Sequence, residues 1–286
     1  MIEIRSGAVT AAIDPLGAEL VSLRDAQDRE WMSDGDPAYW TGRAPLLFPI
    51  VGKLNGDTYR LDGKEYALPQ HGFARRRDFT LVEQAANRAR FRLVDDDASR
   101  AVYPFAFALD AAFTLTDATL AMEVTVTNRG DVPMPASFGF HPAFAWPLPG
   151  GGVKEAHRIV FEHDEPAPLN RIEGGLIGAA DRATPVEGDT LWLRDDLFAD
   201  DALVWEAPDS RALRYGCEDG PELAIAFPDM PTLAVWTKPG ARFICIEPWQ
   251  GHADPAGFTG EIWDKPGMLR LEPGERHAFT MTVTLA

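Results

Sequence analysis

The chain has 286 residues, of which 45% are hydrophobic and 25% charged, a composition typical of a soluble globular protein with a sizeable core. It carries 44 acidic and 27 basic residues, for a formal net charge of -17. This balance argues against nucleic acid or a membrane as a partner, because both favour clustered Lys and Arg. A neutral small molecule fits better, and oligomeric state is not readable.

Cysteine usage and the N-terminus bear on the compartment. Cys217 and Cys245 each fall inside a predicted strand and form no disulfide framework, so we expect buried thiols in a reducing environment. No secretory signal is visible after Met1, and no apolar stretch approaches the ~20 residues that span a bilayer. These observations predict a cytoplasmic protein.

In chain order, nearly everything reads as short strands separated by turn residues. Residues 8–13 and 19–23 form two strands around a Pro-Leu-Gly turn, and residues 58–68 form a hairpin around Asp62-Gly63, which supplies positive φ angles. Further strands are predicted at 79–83, 88–94, 108–115, 119–127, 138–141, 158–162, 203–206, 212–217, 223–227, 233–237, 243–247 and 278–285.

The rest of the chain is predicted to be loop rather than helix. No window shows convincing 3.6-residue periodicity, so helices should be few and short. Residues 146–197 are rich in Gly, Pro and acids, and outside the strand at 158–162 most of them are expected to form surface loops. No linker or repeat divides residues 1–286. The sequence therefore predicts an all-β fold, one domain built as a large antiparallel β-sandwich.

The segment 243–252 is the most informative. Phe243, Cys245 and Glu247 should share one strand face, with the two isoleucines on the other. Pro248 is expected to end the ladder behind Glu247. A carboxylate there loses water on one side, which raises its pKa and suits a general base; a solvated acid at a strand end is the other interpretation. Trp249 offers a flat apolar surface to a sugar ring.

Other polar residues allow both a functional and a structural interpretation. His71 precedes Gly72, which permits close backbone approach, and His141 precedes a proline; each is either a hydrogen-bonded structural histidine or a catalyst. The Lys53 amine either donates hydrogen bonds to sugar hydroxyls or is exposed to solvent. In the basic run 75–77, an extended backbone would let at most two side chains point the same way, with Arg75 the best placed to face a site.

Several catalytic signatures are absent from the sequence. It has no Gly-x-Ser-x-Gly elbow, no phosphate-binding Gly-rich loop and no His-Glu-x-x-His motif. His157 and His163 flank one strand without a third ligand, so no metal site is predicted.

Four segments together resemble the aldose 1-epimerase (galactose mutarotase-like) superfamily, and within it the bacterial LacX-like branch. They occur in family order, the resemblance covers the chain from about residue 10, and only the combination is specific: residues 45–53 (PLLFPIVGK), 70–75 (QHGFAR), 138–142 (FGFHP) and 246–251 (IEPWQG). The resemblance implies a β-supersandwich fold and interconversion of the α and β anomers of a free aldose, with no cofactor.

The resemblance also implies roles for particular residues. Glu247 matches the family's general base, His141 the histidine that protonates the ring oxygen, and His71 a second histidine that holds the sugar. The expected pocket residues are Lys53 (where many members have Arg), Arg75, Trp236, and Asp201 with Asp200 as its rival.

Three other functions remain open at this point. A hexose-6-phosphate 1-epimerase would need two or more basic side chains converging on the phosphate. A non-catalytic carbohydrate-binding protein is favoured by Lys53 in place of Arg. A glycosidase would need a second carboxylate facing Glu247, for which only Asp254 and Glu261 offer themselves.

Overall fold

The computed structural model describes residues 1–286. It consists of short strands, as the sequence predicts, with one six-residue helix, α1 (Asp97–Val102), and single 3-10 turns at Asn55–Asp57, Ala74–Arg76, Lys154–Ala156, Asp195–Phe198 and Ile262–Asp264. None of its helices has the length and apolar character needed to cross a membrane. The first twelve strands are β1 (Ile2–Ser6), β2 (Val9–Asp14), β3 (Glu19–Arg24), β4 (Leu46–Leu47), β5 (Thr58–Leu61), β6 (Lys64–Ala67), β7 (Thr80–Ala85), β8 (Arg88–Val94), β9 (Phe107–Thr116), β10 (Thr119–Asn128), β11 (Met134–Ala136) and β12 (Phe138–Phe140).

The second half of the chain continues the same pattern. Its strands are β13 (Ala143–Ala145), β14 (His157–Phe161), β15 (Leu169–Glu173), β16 (Leu176–Arg182), β17 (Thr190–Trp192), β18 (Leu203–Trp205), β19 (Ala212–Cys217), β20 (Glu222–Ala226), β21 (Thr232–Trp236), β22 (Phe243–Gln250), β23 (Leu269–Leu271) and β24 (Arg276–Leu285).

Two large antiparallel sheets form the sandwich. One has nine strands in the order β17-β14-β19-β20-β24-β10-β9-β8-β7. The other has eight, in the order β16-β15-β18-β21-β22-β12-β4, with β13 also paired to β22. A three-stranded sheet (β1-β2-β3) and the pairs β5-β6 and β11-β23 complete the fold.

The inner faces of the two large sheets pack against each other. Phe138 on β12 stacks on Phe279 on β24, with ring centroids 4.9 Å apart, and Phe161 on β14 meets Trp205 on β18 at 5.6 Å. These contacts belong to one continuous cluster of 64 buried residues, which fills the space between the sheets. Burial of this apolar area is the main stabilising contribution to the sandwich.

Strand β22 lies inside the eight-stranded sheet and is buried on both faces. Ile244 and Ile246 point into the core between the sheets, whereas Phe243 and Cys245 pack in a separate cluster on the outer face. This division confirms the predicted alternation. Glu247 therefore lies on the outer face of the sheet, away from the main core.

The prediction that Pro248 ends the ladder is wrong, since β22 runs on to Gln250. Ile246 N donates to Pro142 O at 3.2 Å, and alternate residues of a strand direct their backbone groups to the same side. The backbone nitrogen of Pro248 therefore points toward β12. The residue opposite it there is Phe140, which pairs with Leu46 of β4 and not with β22. A residue without an N–H fits there because no ladder hydrogen bond is required of it.

The prediction over 146–197 missed three strands, although most of these residues lie outside strands. Strands β15 and β16 form a hairpin around Gly174-Gly175, and β17 adds an edge strand to the other large sheet. The hairpin pairs with the other strands of its sheet through one residue pair, Asn170 with Val204. Ile177 holds its other edge by exchanging backbone hydrogen bonds with the loop after β22.

Candidate active site

The register of β22 with its neighbours brings His141 and Glu247 together. Phe138 lies opposite Gln250 and Ala143 lies opposite Cys245, so both short strands follow one register along β22. Continued through the gap between β12 and β13, that register puts His141 opposite Glu247. Directly opposite residues point to the same face with Cβ atoms about 5 Å apart, so strand pairing alone makes the two side chains neighbours.

The His141 imidazole and the Glu247 carboxyl face each other in a buried setting. His141 Nε2 lies 3.2 Å from Glu247 Oε2, without the alignment of a hydrogen bond, and the two residues are 7% and 2% exposed. Trp40 stacks on the imidazole, with ring centroids 4.8 Å apart and planes at 27°. This stacking fixes the plane of the ring and keeps water from one of its faces.

His71 reaches the same place from a separate loop. Its backbone has a φ of 65°, and Gly72 behind it approaches so closely that a Cβ there would lie 2.2 Å from Phe48 O. Gly52 N donates to His71 Nδ1 at 3.0 Å, so the neutral ring carries its proton on Nε2. His71 Nε2 lies 3.3 Å from the side-chain amide of Gln70, and the His71 ring is 5.7 Å from that of His141.

These side chains line a cavity of about 310 Å³ on the outer face of the eight-stranded sheet. Six of the seven predicted site residues line it: Glu247, His141, His71, Arg75, Asp201 and Trp236. The other lining residues are Trp40, Gly52, Gln70, Ile172, Gly175, Ile177, Ala202, Val204, Trp249 and Ala253. The volume is at the lower end of the ~300–1,000 Å³ range of small-molecule pockets, which suits a single sugar ring.

Lys53 and Asp200 do not line this cavity. The Lys53 amine donates to Gly174 O at 3.4 Å, so it contacts the turn of the β15-β16 hairpin. Between the two neighbouring acids, Asp201 is the one that faces the cavity, in a left-handed backbone conformation with a φ of 84°.

The basic run 75–77 does not adopt the extended form assumed from the sequence, because it starts in a 3-10 turn. Its side chains diverge nonetheless. Arg75 lines the cavity and donates to Gln70 O at 2.8 Å, Arg77 pairs with Asp96, and Arg76 is exposed. The site therefore contains one guanidinium.

Burial determines the protonation of the pair. It raises the pKa of Glu247 well above its ordinary value, and the negative charge of Asp201 raises it further. Burial also lowers the pKa of His141 to about 3, with the positive charge of Arg75 acting in the same direction. Burial, then the charges of His141 and Arg75, lower the pKa of His71. Burial therefore opposes charge on both members of the facing pair.

Comparison with known proteins identifies the family. The family model for aldose 1-epimerase matches residues 1–284. The chain belongs to the aldose 1-epimerase family. The chromosomal LacX protein of Lactococcus lactis subsp. lactis, a relative within the branch that the sequence resembles, is 31% identical over 295 residues, covering 99% of each chain.

Two solved structures are similar to this aldose 1-epimerase family member over its whole length. A galactose mutarotase related enzyme from Lactobacillus acidophilus is 31% identical with a TM-score of 0.91, covering 100% of this chain and 97% of the other. A galactose mutarotase-like protein from Lactobacillus casei is 30% identical with a TM-score of 0.90, covering both chains completely. The predicted galactose mutarotase-like sandwich fold is confirmed.

Sequence reasoning missed part of the wall of the site in this family member. Trp40 was not among the predicted site residues, and its stacking on His141 has no local sequence signal. Ile172 and Ile177 lie on the β15-β16 hairpin, and the adjacent glycines at 174 and 175 are the one local signal that could have indicated its turn. Part of the cavity wall therefore comes from a segment that the sequence analysis expected to be surface loop.

Proposed function

We propose that this member of the aldose 1-epimerase family is a mutarotase, which interconverts the α and β anomers of a free aldose without a cofactor. The observation that carries the proposal is a concentration of unpaired polar atoms in one cavity. Arg75 Nε, His141 Nδ1, Glu247 Oε2 and Trp249 Nε1 are all buried without a hydrogen-bond partner. Buried polar atoms are rarely left unpaired, and the hydroxyls of a pyranose would supply partners.

The facing acid and imidazole suit ring opening. Glu247 removes the proton from the anomeric hydroxyl while His141 delivers a proton to the ring oxygen, and the bond between C1 and the ring oxygen breaks. Rotation about C1–C2 turns the other face of the aldehyde toward the ring hydroxyl. The reverse transfers then close the ring as the opposite anomer and restore both groups. Each such transfer typically contributes ~10²–10⁴-fold.

The protonation of the pair fits this cycle. Carboxylate with imidazolium is the form that begins ring opening, and carboxylic acid with imidazole is the form that accompanies the open-chain aldehyde. Both forms have the same number of protons. Because burial opposes charge on Glu247 and on His141, the site favours the second form.

Other cavity residues would hold the ring. His71, whose ring lies 5.7 Å from that of His141, would hold the sugar beside it, and Arg75 offers its unpaired Nε. Asp201 accepts hydrogen bonds from sugar hydroxyls. Trp249 and Trp236 present flat apolar surfaces that suit the C–H faces of a pyranose.

A neutral aldose suits the cavity better than a hexose 6-phosphate. Recognition of a phosphate favours two or more converging basic groups, whereas Arg75 is the one guanidinium that lines the cavity. Asp201 and Glu247 line it as well and would repel a phosphate in their ionised forms. We therefore expect rates on glucose to exceed those on glucose 6-phosphate.

The test is polarimetry on fresh α-glucose and α-galactose with the Glu247→Gln variant. The amide has nearly the same shape as the carboxyl but accepts no proton, so we expect the rate to fall by about 10²–10⁴-fold while calorimetry shows sugar binding within a few-fold of the parent. The matched control is Asp200→Asn, which removes an exposed carboxyl outside the cavity and should retain the parental rate.

Three results would contradict the proposal in different ways. A Glu247→Gln variant at the parental rate would show that the base is another group. Parental protein that binds sugars without accelerating mutarotation would be a carbohydrate-binding protein, as the lysine at position 53 suggested. Faster turnover of glucose 6-phosphate than of glucose would make it a hexose-6-phosphate epimerase.

A further inference from the structure

A thiol stands beside the proposed catalytic pair. Cys245 precedes Glu247 by two residues on the same face of β22, and it is fully buried. A nitrogen of His141, the sulfur of Cys245 and a carboxyl oxygen of Glu247 all lie within 4.8 Å of one another. The proposed proton-transfer mechanism gives no role to Cys245.

We infer that His141, Cys245 and Glu247 form a binding site for a thiophilic divalent cation of the Zn²⁺ type, and that an ion bound there inhibits the protein. Imidazole nitrogen, thiolate sulfur and carboxylate oxygen are the three ligand types that zinc takes in proteins. One prospective ligand atom, Glu247 Oε2, is buried without a hydrogen-bond partner.

The spacing is close to that of a coordinated ion. Ligand atoms around a tetrahedral zinc are roughly 3.3–3.8 Å apart, as follows from bond lengths of ~2.0–2.3 Å. The His141 Nε2 to Glu247 Oε2 separation of 3.2 Å is near this value. The remaining separations are at most 4.8 Å, so coordination requires the Cys245 sulfur and the other two ligand atoms to approach one another. A fourth position stays open toward the cavity, where a water or a sugar hydroxyl completes the coordination.

Binding exchanges protons for the metal. The Cys245 thiol forms its bond to the ion as thiolate and releases its proton to the buffer, and the Glu247 carboxyl does the same, whereas neutral His141 binds through a free nitrogen lone pair. The ion then holds the carboxylate and the imidazole that would move protons to and from the sugar. The metal site itself does not depend on the proposed mutarotase activity. The inhibition by the bound ion does rest on that proposed activity.

The experiment titrates chelator-treated protein with ZnCl₂ and, separately, CoCl₂. We expect one equivalent of Co²⁺ to give a tetrahedral visible spectrum with thiolate-to-cobalt absorption in the near ultraviolet, and Zn²⁺ to displace it. Mutarotation by the zinc-loaded protein should fall at least tenfold, and MgCl₂ should have no effect because magnesium prefers oxygen ligands.

Substitutions of the two cysteines distinguish metal binding at this site from metal binding elsewhere in the protein. Cys245→Ser and Cys245→Ala should each lose the thiolate absorption and weaken zinc inhibition at least tenfold, judged against each variant's own metal-free rate. Cys217→Ser is the matched control, because Cys217 lies elsewhere beside His157. It should retain both the spectrum and the inhibition.

Several outcomes would overturn the inference. These are a cobalt adduct without thiolate absorption, an adduct that survives in both variants at position 245, and an adduct that disappears in Cys217→Ser. The cobalt spectrum decides the matter even if no mutarotation is found. A failure of the proposed function is therefore distinguishable from a failure of the metal site.

Discussion

Replacement of Lys265 by methionine should test the buried ion pair that supports one wall of the site. Lys265 and Asp254 are each 3% exposed, and the Lys265 amine donates to Asp254 Oδ1 at 2.8 Å and to His252 O at 2.7 Å. Asp254 N in turn donates to Lys53 O at 2.8 Å, and Ala253 between these segments lines the cavity. The pair therefore fixes two loops of the site to each other.

The magnitude follows from what the substitution leaves behind. Methionine fills a similar volume without a charge, so the Asp254 carboxylate keeps one hydrogen bond, from Asn55 N at 2.9 Å, and His252 O loses its donor. Removal of one partner of a buried pair typically costs about 3–5 kcal/mol of unfolding free energy, because the other charge stays buried and uncompensated. Adding Asp254→Asn removes that charge, so the double variant should recover about half of the loss.

The assay is urea unfolding monitored by tryptophan fluorescence, with unfolding free energies compared at unchanged slope. The matched control is Arg171→Met, which breaks an ion pair whose side chains are 55% and 57% exposed and should cost at most about 1 kcal/mol. The reasoning is refuted if Lys265→Met costs no more than this control, or if the double variant is less stable than the single one.

Two further predictions concern the backbone at His71 and the titration of the catalytic pair. Gly72→Ala should cost more than about 3 kcal/mol of unfolding free energy, because its Cβ would meet Phe48 O at 2.2 Å. Gly63→Ala, with a similar φ of 75° but open space, should cost only about 1–2 kcal/mol, and thermal unfolding that ranks them equally would contradict the steric reason. Folding lowers the pKa of His141 from 6.5 to about 3, so between these pH values the unfolded chain takes up a proton that the folded chain does not. The free energy of unfolding should therefore fall by up to roughly 5 kcal/mol as the pH drops from 6.5 to about 3. His141→Asn should remove this loss. Because the pKa of Glu247 is raised, the folded chain retains a proton above pH 4.5, and the contribution of Glu247 to stability falls as the pH rises. Glu247→Gln should therefore remove a pH dependence of stability whose sign is opposite to that of His141. If the two variants changed the pH dependence of stability in the same direction, the assignment of the two pKa shifts would be contradicted.

Elements with strong local signals were predictable from the sequence. The hairpin of β5 and β6 turns at Asp62 and Gly63, both at positive φ, where the Asp-Gly pair allows a two-residue loop. Strands β9 and β10 followed from long alternation, which the burial pattern of both strands reproduces. In these segments local preference and tertiary burial coincide.

The β15-β16 hairpin was not predictable in the same way. The hairpin lies at one end of its sheet, carries exposed residues such as Arg171 and Glu173, and pairs with irregular register. Small and polar residues dominate β16, so alternation is too weak to indicate a strand. Only contacts with the remainder of the molecule define this element.

The candidate site was partly predictable. Glu247 and His141 could be singled out because each stands by a proline near the end of an apolar segment. Their mutual position could not, since it depends on β12 and β13 sharing one register along β22. Trp40 was beyond reach, because a residue distant in sequence contacts His141 only after the sandwich has formed.

The separate origin of the hairpin wall has an evolutionary consequence. The carboxyl and imidazole are held by central strands, whereas Ile172 and Ile177 arrive on an arm joined to its sheet through one residue pair. Exchange of that arm would reshape the room for the sugar and leave the proton-transferring groups where they are. Descendants of one ancestor can thus diversify in the carbohydrate they accept while inheriting the same chemistry unchanged.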